Sequence, residues 1–288
     1  MNKDEQVILT AVQAHCEGAR RLNGVRYQSL SVASVKRIAA DLNETGKRVE
    51  RIALENEIIP ARYSRNITSI GPTDQVQLLG STVTVVGIGG LGGWLSEMLA
   101  RVGVGTLRLI DGDQFEESNL NRQLFSDEGH LALGKTDVAV ERLTNVNSSI
   151  TVDGRSVVLT EENGPALLSG CDVIADCLDS IRTRFVLESA AGVLGVPLVT
   201  AAVAGRSGQM GTILPGDPGF SVIYGQPAEA PERGEESELG NLPFTVALLA
   251  SLQCAEIVRI LLGKPELYRG GLLYVDLEDG TFEHLDLG

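Results

Sequence analysis

The chain of 288 residues is poor in aromatic side chains, cysteine and positive charge. Aromatic residues make up 4% of the sequence, with a single tryptophan, Trp94, whereas hydrophobic residues as a whole make up 43%. An aliphatic-rich composition of this kind is typical of an α/β domain, and the length is sufficient to bury a sizeable core. We expect one main domain with room for a small appendage.

Long apolar runs and a basic, apolar N-terminal leader are also missing. No run of 18 or more apolar residues occurs, and the opening MNKDEQVILT has no basic segment followed by an apolar one. The sequence therefore predicts neither a membrane span nor a signal peptide, and we expect a cytoplasmic protein. The formal net charge of -14 argues against general binding to nucleic acid, because such binding depends on clustered Lys and Arg. Any anionic ligand must meet a local group of positive charges.

The four cysteines contain no C-x-x-C pair. They therefore predict neither a disulfide framework nor a four-thiolate zinc site. We expect reduced and mostly buried thiols at Cys16, Cys171, Cys177 and Cys254.

The first 60 residues predict a small helical appendage, with residues 61–288 forming the main domain. Apolar periodicity indicates three helices, at 6–22, 31–42 and 46–59, and residues 43–46 make a short turn between the last two. The pair has the form of a helix-turn-helix. It packs either on the main domain or on a partner, or it binds DNA through the basic residues Lys47, Arg48 and Arg51.

From residue 82, strand patterns alternate with helix patterns. This alternation predicts a Rossmann-like, doubly wound and mostly parallel sheet covered on both faces. Short Gly- and Pro-broken pieces in 205–224 predict antiparallel strands at the sheet edge, and a final hairpin turns at Asp279-Gly280. The acidic stretch 226–241, which we call the crossing loop, is predicted to be a solvated loop placed where it can cross a binding groove.

The stretch VVGIGGLGG, residues 85–93, matches the dinucleotide fingerprint. Small residues at such a strand-to-helix turn let backbone N–H groups approach a phosphate, and the helix dipole favours its negative charge. Asp111 ends the next strand, where a carboxylate can accept hydrogen bonds from a ribose. This combination supports NAD and ATP equally.

The polar segment 111–135 distinguishes the two nucleotides. It carries Asn119, Arg122, Gln123 and Lys135 beyond the carboxyl end of a strand, where ligands of such sheets bind. A triphosphate needs several cations because its phosphates gain charge in the transition state, whereas a nicotinamide site has to hold one pyrophosphate and position a hydride acceptor. Arg122 and Lys135 supply that charge.

The motif DCLDS, residues 176–180, ends another strand at the same edge of the sheet. Asp179 can therefore hold a magnesium ion that bridges ATP phosphates. The alternative is that Asp179 caps the following helix, although Ser180 can cap it equally well.

In this order and spacing, GIGGLG, LIDGD, SNLNRQ, GKTDVAVERL and DCLDS resemble the HesA/MoeB/ThiF adenylyltransferases of the ubiquitin-activating superfamily, over roughly residues 62–285. The resemblance implies that ATP and magnesium are used to adenylate the C-terminal carboxylate of a small ubiquitin-like sulfur carrier, of the ThiS or MoaD type, that ends in Gly-Gly. It also implies a homodimer in which Arg65, from the segment RYSRN, reaches the ATP of the opposite protomer.

The resemblance assigns each candidate residue a role. The catalytic set is Arg65, Arg122, Lys135 and Asp179, with Asp179 also the metal ligand. The nucleotide-binding set is Gly87, Gly89, Gly90, Gly92, Asp111, Asp113, Ser118, Asn119, Gln123 and Ser180.

Two departures from the family pattern matter. The paired C-x-x-C motifs that bind zinc in many relatives are missing, so no zinc is expected. The crossing loop contains no cysteine, so we expect no covalent thioester and an external sulfur donor instead. An NAD-dependent oxidoreductase and a nucleotide-sensing DNA-binding regulator remain as alternatives, and the identity of the carrier is open.

Overall fold

A computed structural model describes residues 3–21 and 23–287 of the chain. Its main element is an eight-stranded sheet with the order β11-β10-β9-β8-β7-β4-β5-β6. The five strands from β8 to β6 are parallel, and β9, β10 and β11 add to them in antiparallel pairs. The predicted Rossmann-like sheet with antiparallel edge strands is confirmed. Its strands are β4 Thr82–Val86, β5 Thr106–Ile110, β6 Thr151–Arg155, β7 Val173–Asp176, β8 Leu198–Ala204, β9 Ser207–Ile213, β10 Gly271–Asp276 and β11 Thr281–Asp286.

Helices cover both faces of this sheet. Alternation along the strands explains the two layers: Val83 and Val85 face one apolar core with α5, α6 and α11, whereas Val86 faces a second core with α7 and α8. The helices of the domain are α4 Pro72–Gly80, α5 Gly90–Val102, α6 Lys135–Val146, α7 Gly164–Leu168, α8 Ile181–Leu194, α9 Ser221–Tyr224, α10 Glu236–Leu239 and α11 Pro243–Leu261.

The N-terminal unit differs from the helical appendage that the sequence predicts. Helices α2 Val32–Leu42 and α3 Gly46–Glu55 lie where expected, and α1 spans Lys3–His15. However, β1 Glu17–Arg20, β2 Arg26–Leu30 and β3 Ile58–Pro60 form a three-stranded sheet. The hairpin signal is Asn23-Gly24, where Gly24 has φ +84°, and the helical periodicity predicted for 6–22 obscured it. Leu22 lies outside the described residues.

Two stretches are helical that the sequence does not predict to be helices. Helix α4 follows the segment 61–71, with Pro72 at its first position, where the missing N–H costs nothing. Residues 221–224 form the short helix α9 at the edge of the sheet.

Within the described residues, α11 is the one helix long and apolar enough to span a membrane by length and composition. Half of its most apolar window is buried, and it packs against α5 and β8 in the main core. Its hydrophobicity is therefore explained by a core position.

Candidate functional site

A cleft of about 270 Å³ lies beyond the carboxyl ends of β4, β5 and β7. Ten of the fourteen candidate residues line it: Gly87, Gly89, Gly90, Asp111, Asp113, Arg122, Gln123, Lys135, Asp179 and Ser180. The other four, Arg65, Gly92, Ser118 and Asn119, do not line it. The parallel sheet produces this convergence, because the motifs that follow its strands all emerge at one edge.

The glycine loop connects β4 to α5. Gly87 has φ +91°, and a Cβ there would lie 2.5 Å from the carbonyl oxygen of Cys177, so no side chain fits. A Cβ on Gly92 would lie 1.8 Å from the carbonyl oxygen of Gly87. Gly92 therefore allows the helix to pack on the loop and does not line the cleft, whereas the sequence places it beside the nucleotide.

Asp111 is tied to the glycine loop. Its carboxylate accepts hydrogen bonds from the backbone N–H of Ile88 at 2.6 Å and of Asp113 at 2.8 Å. Burial raises the pKa of Asp111, and the ammonium of Lys135, 4.0 Å away, opposes that shift. Each carboxylate oxygen keeps a lone pair for another donor, so the residue can still accept a hydrogen bond from a ribose hydroxyl.

Lys135 begins helix α6 and is 7% exposed. Its Nζ donates to Oδ2 of Asp113 at 2.9 Å. Asp111 and Asp113 therefore hold the ammonium in the cleft at a fixed place, where it can meet an anion.

The 3-10 turn Glu117–Asn119 positions Arg122 and Gln123. The carbonyl oxygen of Asn119 accepts the backbone N–H groups of both residues, and Ser118 accepts a hydrogen bond from the Arg122 guanidinium through its carbonyl oxygen. Ser118 and Asn119 thus build the turn and do not line the cleft, unlike the sequence prediction. Gln123 is 7% exposed, and its Oε1 has no hydrogen-bond partner among the described residues, which leaves this oxygen available to a ligand.

Ser180 caps helix α8, accepting the backbone N–H of Thr183 at 3.2 Å. The Asp179 carboxylate is left for another use; it is 71% exposed and lies 3.6 Å from Nη2 of Arg233. A single exposed carboxylate at the end of a strand suits Mg²⁺, which keeps several waters and takes phosphate oxygens as further ligands. Among the described residues no three His, Cys, Asp or Glu side chains are grouped for a metal, so Asp179 would act with the phosphates.

The crossing loop runs over the cleft. Gly234, Glu236 and Asn241 contribute to its lining. Glu232 anchors the loop to the start of α8: its carboxylate accepts from Ser180 Oγ at 3.2 Å, and its carbonyl oxygen accepts from the N–H of Ile181 at 3.0 Å. This loop therefore closes one side of the site.

Sequence reasoning missed Arg184, which is 5% exposed and lines the cleft. Its Nη1 lies 3.3 Å from Oδ2 of Asp176, and its Nη2 donates to the carbonyl oxygens of Leu178 and Ala201. Thr200 Oγ1 also donates to Asp176, at 2.6 Å. This network joins the end of β7 to the middle of β8 beside Asp179. The available signal was Asp176, the acidic residue that ends the apolar strand VIAD.

Three of the cysteines are buried within the domain. Burial raises the pKa of the Cys254 thiol to about 12 and raises the pKa of Cys177 well above its usual range, where Asp176 adds to the effect. Burial likewise raises the pKa of Cys171. These thiols are poor nucleophiles at neutral pH, because the thiolate is the reactive form.

Arg65 lies outside the cleft of its own chain. Its side chain is exposed, and it stands between the buried residues Tyr63 and Ile67. Within one chain it therefore does not line the cleft with the other candidate residues.

The basic residues that favoured DNA binding are engaged inside the protein. Lys47 Nζ donates to the carbonyl oxygen of Gly105 at 3.0 Å. Arg48 pairs with Glu44, and Arg51 pairs with both Glu5 and Glu55. The DNA-binding alternative loses the observation that supported it.

The fold and the cleft together define a nucleotide-binding protein of the Rossmann type that concentrates cations and one exposed carboxylate beside a glycine loop. The ThiF family matches residues 63–288, and the chain belongs to this family. It is accordingly an enzyme of the adenylyltransferase type, and the oxidoreductase alternative is set aside.

Curated relatives agree with this assignment. The SAMP-activating enzyme E1 of Haloferax volcanii is 34% identical over 227 residues, which are 77% of this chain and 83% of that protein. The adenylyltransferase and sulfurtransferase MOCS3 of Culex quinquefasciatus is 34% identical over 236 residues, 81% of this chain. The chain spans about half the length of MOCS3, 53% in this case.

Solved structures share the fold. Escherichia coli MccB crystallised with ATP superposes with a TM-score of 0.69 at 22% identity, covering 84% of this chain and 78% of MccB. PaaA gives a TM-score of 0.66 at 22% identity, covering 79% of this chain and 82% of that one.

Proposed function

We propose that the protein uses ATP and Mg²⁺ to adenylate the C-terminal glycine of a small ubiquitin-like sulfur carrier of the ThiS or MoaD type. The observation that carries the proposal is the convergence of Arg122, Lys135 and Asp179 in one cleft with the glycine loop. Family membership and the relative named as a SAMP-activating enzyme support it.

In the proposed reaction, a carboxylate oxygen of the carrier attacks the α-phosphorus of ATP. The bond from that phosphorus to the bridging oxygen of pyrophosphate breaks, so the products are an acyl adenylate and pyrophosphate. No side chain has to act as nucleophile, because the substrate carboxylate is one. Positioning and electrostatic stabilisation therefore supply the rate.

The residues divide this task. Backbone N–H groups at Gly89 and Gly90 face the phosphates, and Asp111 accepts from the ribose. Asn119 holds the turn from which Gln123 reaches the nucleotide. Asp179 would hold the magnesium ion, which would supply positive charge beside the phosphates.

Arg122 and Lys135 add positive charge beside the phosphates, where negative charge builds up on the leaving pyrophosphate. Arg65 completes the site from the opposite protomer of a homodimer. Its exposed position outside its own cleft supports this role, because an arginine that served its own nucleotide would line that cleft.

The acyl group of the adenylate then passes to the sulfur of an external donor, with AMP as the leaving group and without a thioester to the enzyme. The absence of cysteine from the crossing loop and the burial of Cys171, Cys177 and Cys254 support this step. We place the reaction in the cytoplasm.

The first test is nucleotide binding, followed through Trp94, which lies on α5 just beyond the glycine loop. Titration with ATP and Mg²⁺ should change its emission and release heat, and removal of Mg²⁺ should weaken binding. NAD should give neither signal. Binding of NAD alone would contradict the proposal.

The second test is pyrophosphate exchange with a recombinant ThiS- or MoaD-type protein ending in Gly-Gly. We expect Arg122→Ala and Asp179→Ala each to lower exchange about 100- to 1,000-fold, since each removes charge stabilisation from the transition state. Arg155→Ala, an exposed arginine at the end of β6, is the matched control and should keep full activity. Normal exchange in either site variant would refute the role given to that residue.

A further inference from the structure

A buried polar cluster joins the N-terminal unit to the catalytic domain. We call it the junction cluster; its members are Glu50, Arg62, Tyr63, Asn147 and Ser149. Only Glu50 comes from the N-terminal unit, on helix α3. The cluster is separate from the cleft, and none of its members lines the nucleotide site.

Glu50 is the centre of the junction cluster, with a fully buried side chain. Its Oε1 accepts a hydrogen bond from Ser149 Oγ at 2.7 Å and lies 3.1 Å from Nε of Arg62. Burial raises the pKa of Glu50, and the Arg62 guanidinium opposes the shift. Burying a carboxylate is costly, and an apolar side chain of similar size would join the two units at least as firmly. The charge is better explained by a need to fix the position of its partner, Arg62.

Asn147 extends the junction cluster into the catalytic domain. Its side chain accepts from Arg62, and its Nδ2 donates to the hydroxyl of Tyr63 at 3.1 Å and to the carbonyl oxygen of Ala100 at 2.9 Å. Arg62 and Tyr63 are thereby held between helix α3 on one side and the ends of α5 and α6 on the other.

Arg65 follows these two residues in the chain. The carbonyl oxygen of Tyr63 accepts the N–H of Asn66 at 2.8 Å, which turns the backbone so that Arg65 projects outward. Tyr63 is fully buried before it and Ile67 is 4% exposed after it. The backbone that carries Arg65 therefore takes its position from residues that the junction cluster holds.

We propose that Glu50 is a positioning residue for adenylation: through Arg62 and Tyr63 it fixes the segment that presents Arg65 to the ATP of the opposite protomer. This proposal rests on the role given to Arg65 under Proposed function. It assigns the N-terminal unit a part in ATP binding, although the described residues of that unit contribute no side chain to the cleft of their own chain.

The experiment measures ATP·Mg²⁺ and AMP affinities by calorimetry for the full-length protein, Glu50→Gln, Arg65→Ala and the double variant. Glu50→Gln keeps the side-chain volume and removes the charge that holds Arg62. Glu55→Gln is the matched control, because it removes a carboxylate from the same helix where that group pairs with exposed Arg51. Arg62→Met tests the same link from its other side, should Glu50→Gln leave Arg62 in place.

If the proposal holds, Glu50→Gln weakens ATP binding about three- to tenfold, a typical size for coupling through packed residues. AMP binding stays unchanged, because AMP lacks the phosphates that Arg65 would reach. The double variant binds ATP no more weakly than Arg65→Ala alone, and Arg62→Met behaves like Glu50→Gln.

Additive losses in the double variant would overturn the proposal, because they would show that Glu50 acts independently of Arg65. ATP affinity equal to the Glu55→Gln control in both Glu50→Gln and Arg62→Met would also overturn it. If Arg65→Ala binds ATP normally while the parent protein still catalyses exchange, the role of Arg65 itself falls, and the present proposal falls with it.

Discussion

Two buried arginine–carboxylate pairs stabilise different parts of this molecule. Asp176 and Arg184 lie beneath the nucleotide cleft, and Glu50 and Arg62 lie at the junction with the N-terminal unit. Asp176 accepts hydrogen bonds at both carboxylate oxygens, from Leu178 and Thr200. Glu50 accepts one, from Ser149, and its pKa is raised by burial.

The comparison shows that two pairs of the same chemistry differ in how well the fold satisfies them. The pair under the cleft is formed within one strand–turn–helix unit, so Arg184 is close to Asp176 in sequence and in space. The junction pair needs α3 and the segment 61–71 to meet, together with Ser149 from beyond α6. A carboxylate whose two oxygens both accept hydrogen bonds, like that of Asp176, is held rigidly. The Glu50 carboxylate has one oxygen without a hydrogen-bond partner among the described residues, and it is therefore sensitive to pH and to its neighbours.

The largest effect should follow from Arg184→Met. This change leaves the Asp176 charge buried without its cation, and we expect the free energy of unfolding to fall by about 3–5 kcal/mol. Urea denaturation of the purified protein measures it. Arg182→Met is the control, because it removes an exposed arginine of the same helix, one that pairs with Glu232 of the crossing loop. It should change the free energy of unfolding little. Equal free energies of unfolding for the two variants would show that losing the buried pair costs no more than losing the exposed one.

A smaller effect is expected from Glu50→Gln as the pH changes. The folded-state pKa of Glu50 is raised above its ordinary value of 4.5, so between these two values the folded state binds more protons than the unfolded state. The stability that this group contributes is therefore lost as pH rises from about 4.5 through the folded-state pKa. Glu50→Gln cannot titrate there, and one unit of pKa shift corresponds to about 1.4 kcal/mol.

Urea denaturation at several pH values from 4 to 8 checks this. The stability of the parent protein should decline relative to Glu50→Gln as the pH rises, whereas Glu55→Gln should follow the parent. A parallel pH dependence of the parent and Glu50→Gln would mean that the junction carboxylate is not perturbed.

The smallest effect should come from Lys47→Met at the same junction. Lys47 Nζ donates to the Gly105 carbonyl oxygen and to Thr106 Oγ1, and burial lowers its pKa. Because solvent partly replaces the lost bonds, we expect about 1 kcal/mol of destabilisation. Lys36→Met, at an exposed position on α2, is the control. If Lys47→Met lowered the free energy of unfolding as much as Arg184→Met, the prediction that solvent partly replaces the lost bonds would be wrong.

Most of the site could be predicted because its residues follow strands. The motifs after β4, β5 and β7 converge once the strands are known to be parallel, and ten of the fourteen candidates line one cleft. Four candidates do not line the cleft, and the reasons are local. Gly92 faces the loop and not the ligand, since its missing Cβ makes room for the Gly87 carbonyl. Asn119 was taken for a ligand group because its type suits one, but it builds the turn.

The N-terminal unit was harder to predict. Its helices α2 and α3 have clear periodicity, whereas its strands are short and depend on pairing with each other. Parallel pairing of β2 with β3, residues 28 to 30 with 58 to 60, cannot be seen in any local window.

The sequence by itself determined the order of strands and helices from β4 to β8, the glycine loop, the acid at the end of β5 and the cations after it, because each depends on residues a few positions apart. Only the tertiary structure decided which charged side chains are buried and which residues they contact. Glu50 against Ser149 and Lys47 on Gly105 are contacts between distant segments, and Arg184 is buried because β8 packs against it. Their energies depend on burial, and burial is a property of the assembled fold.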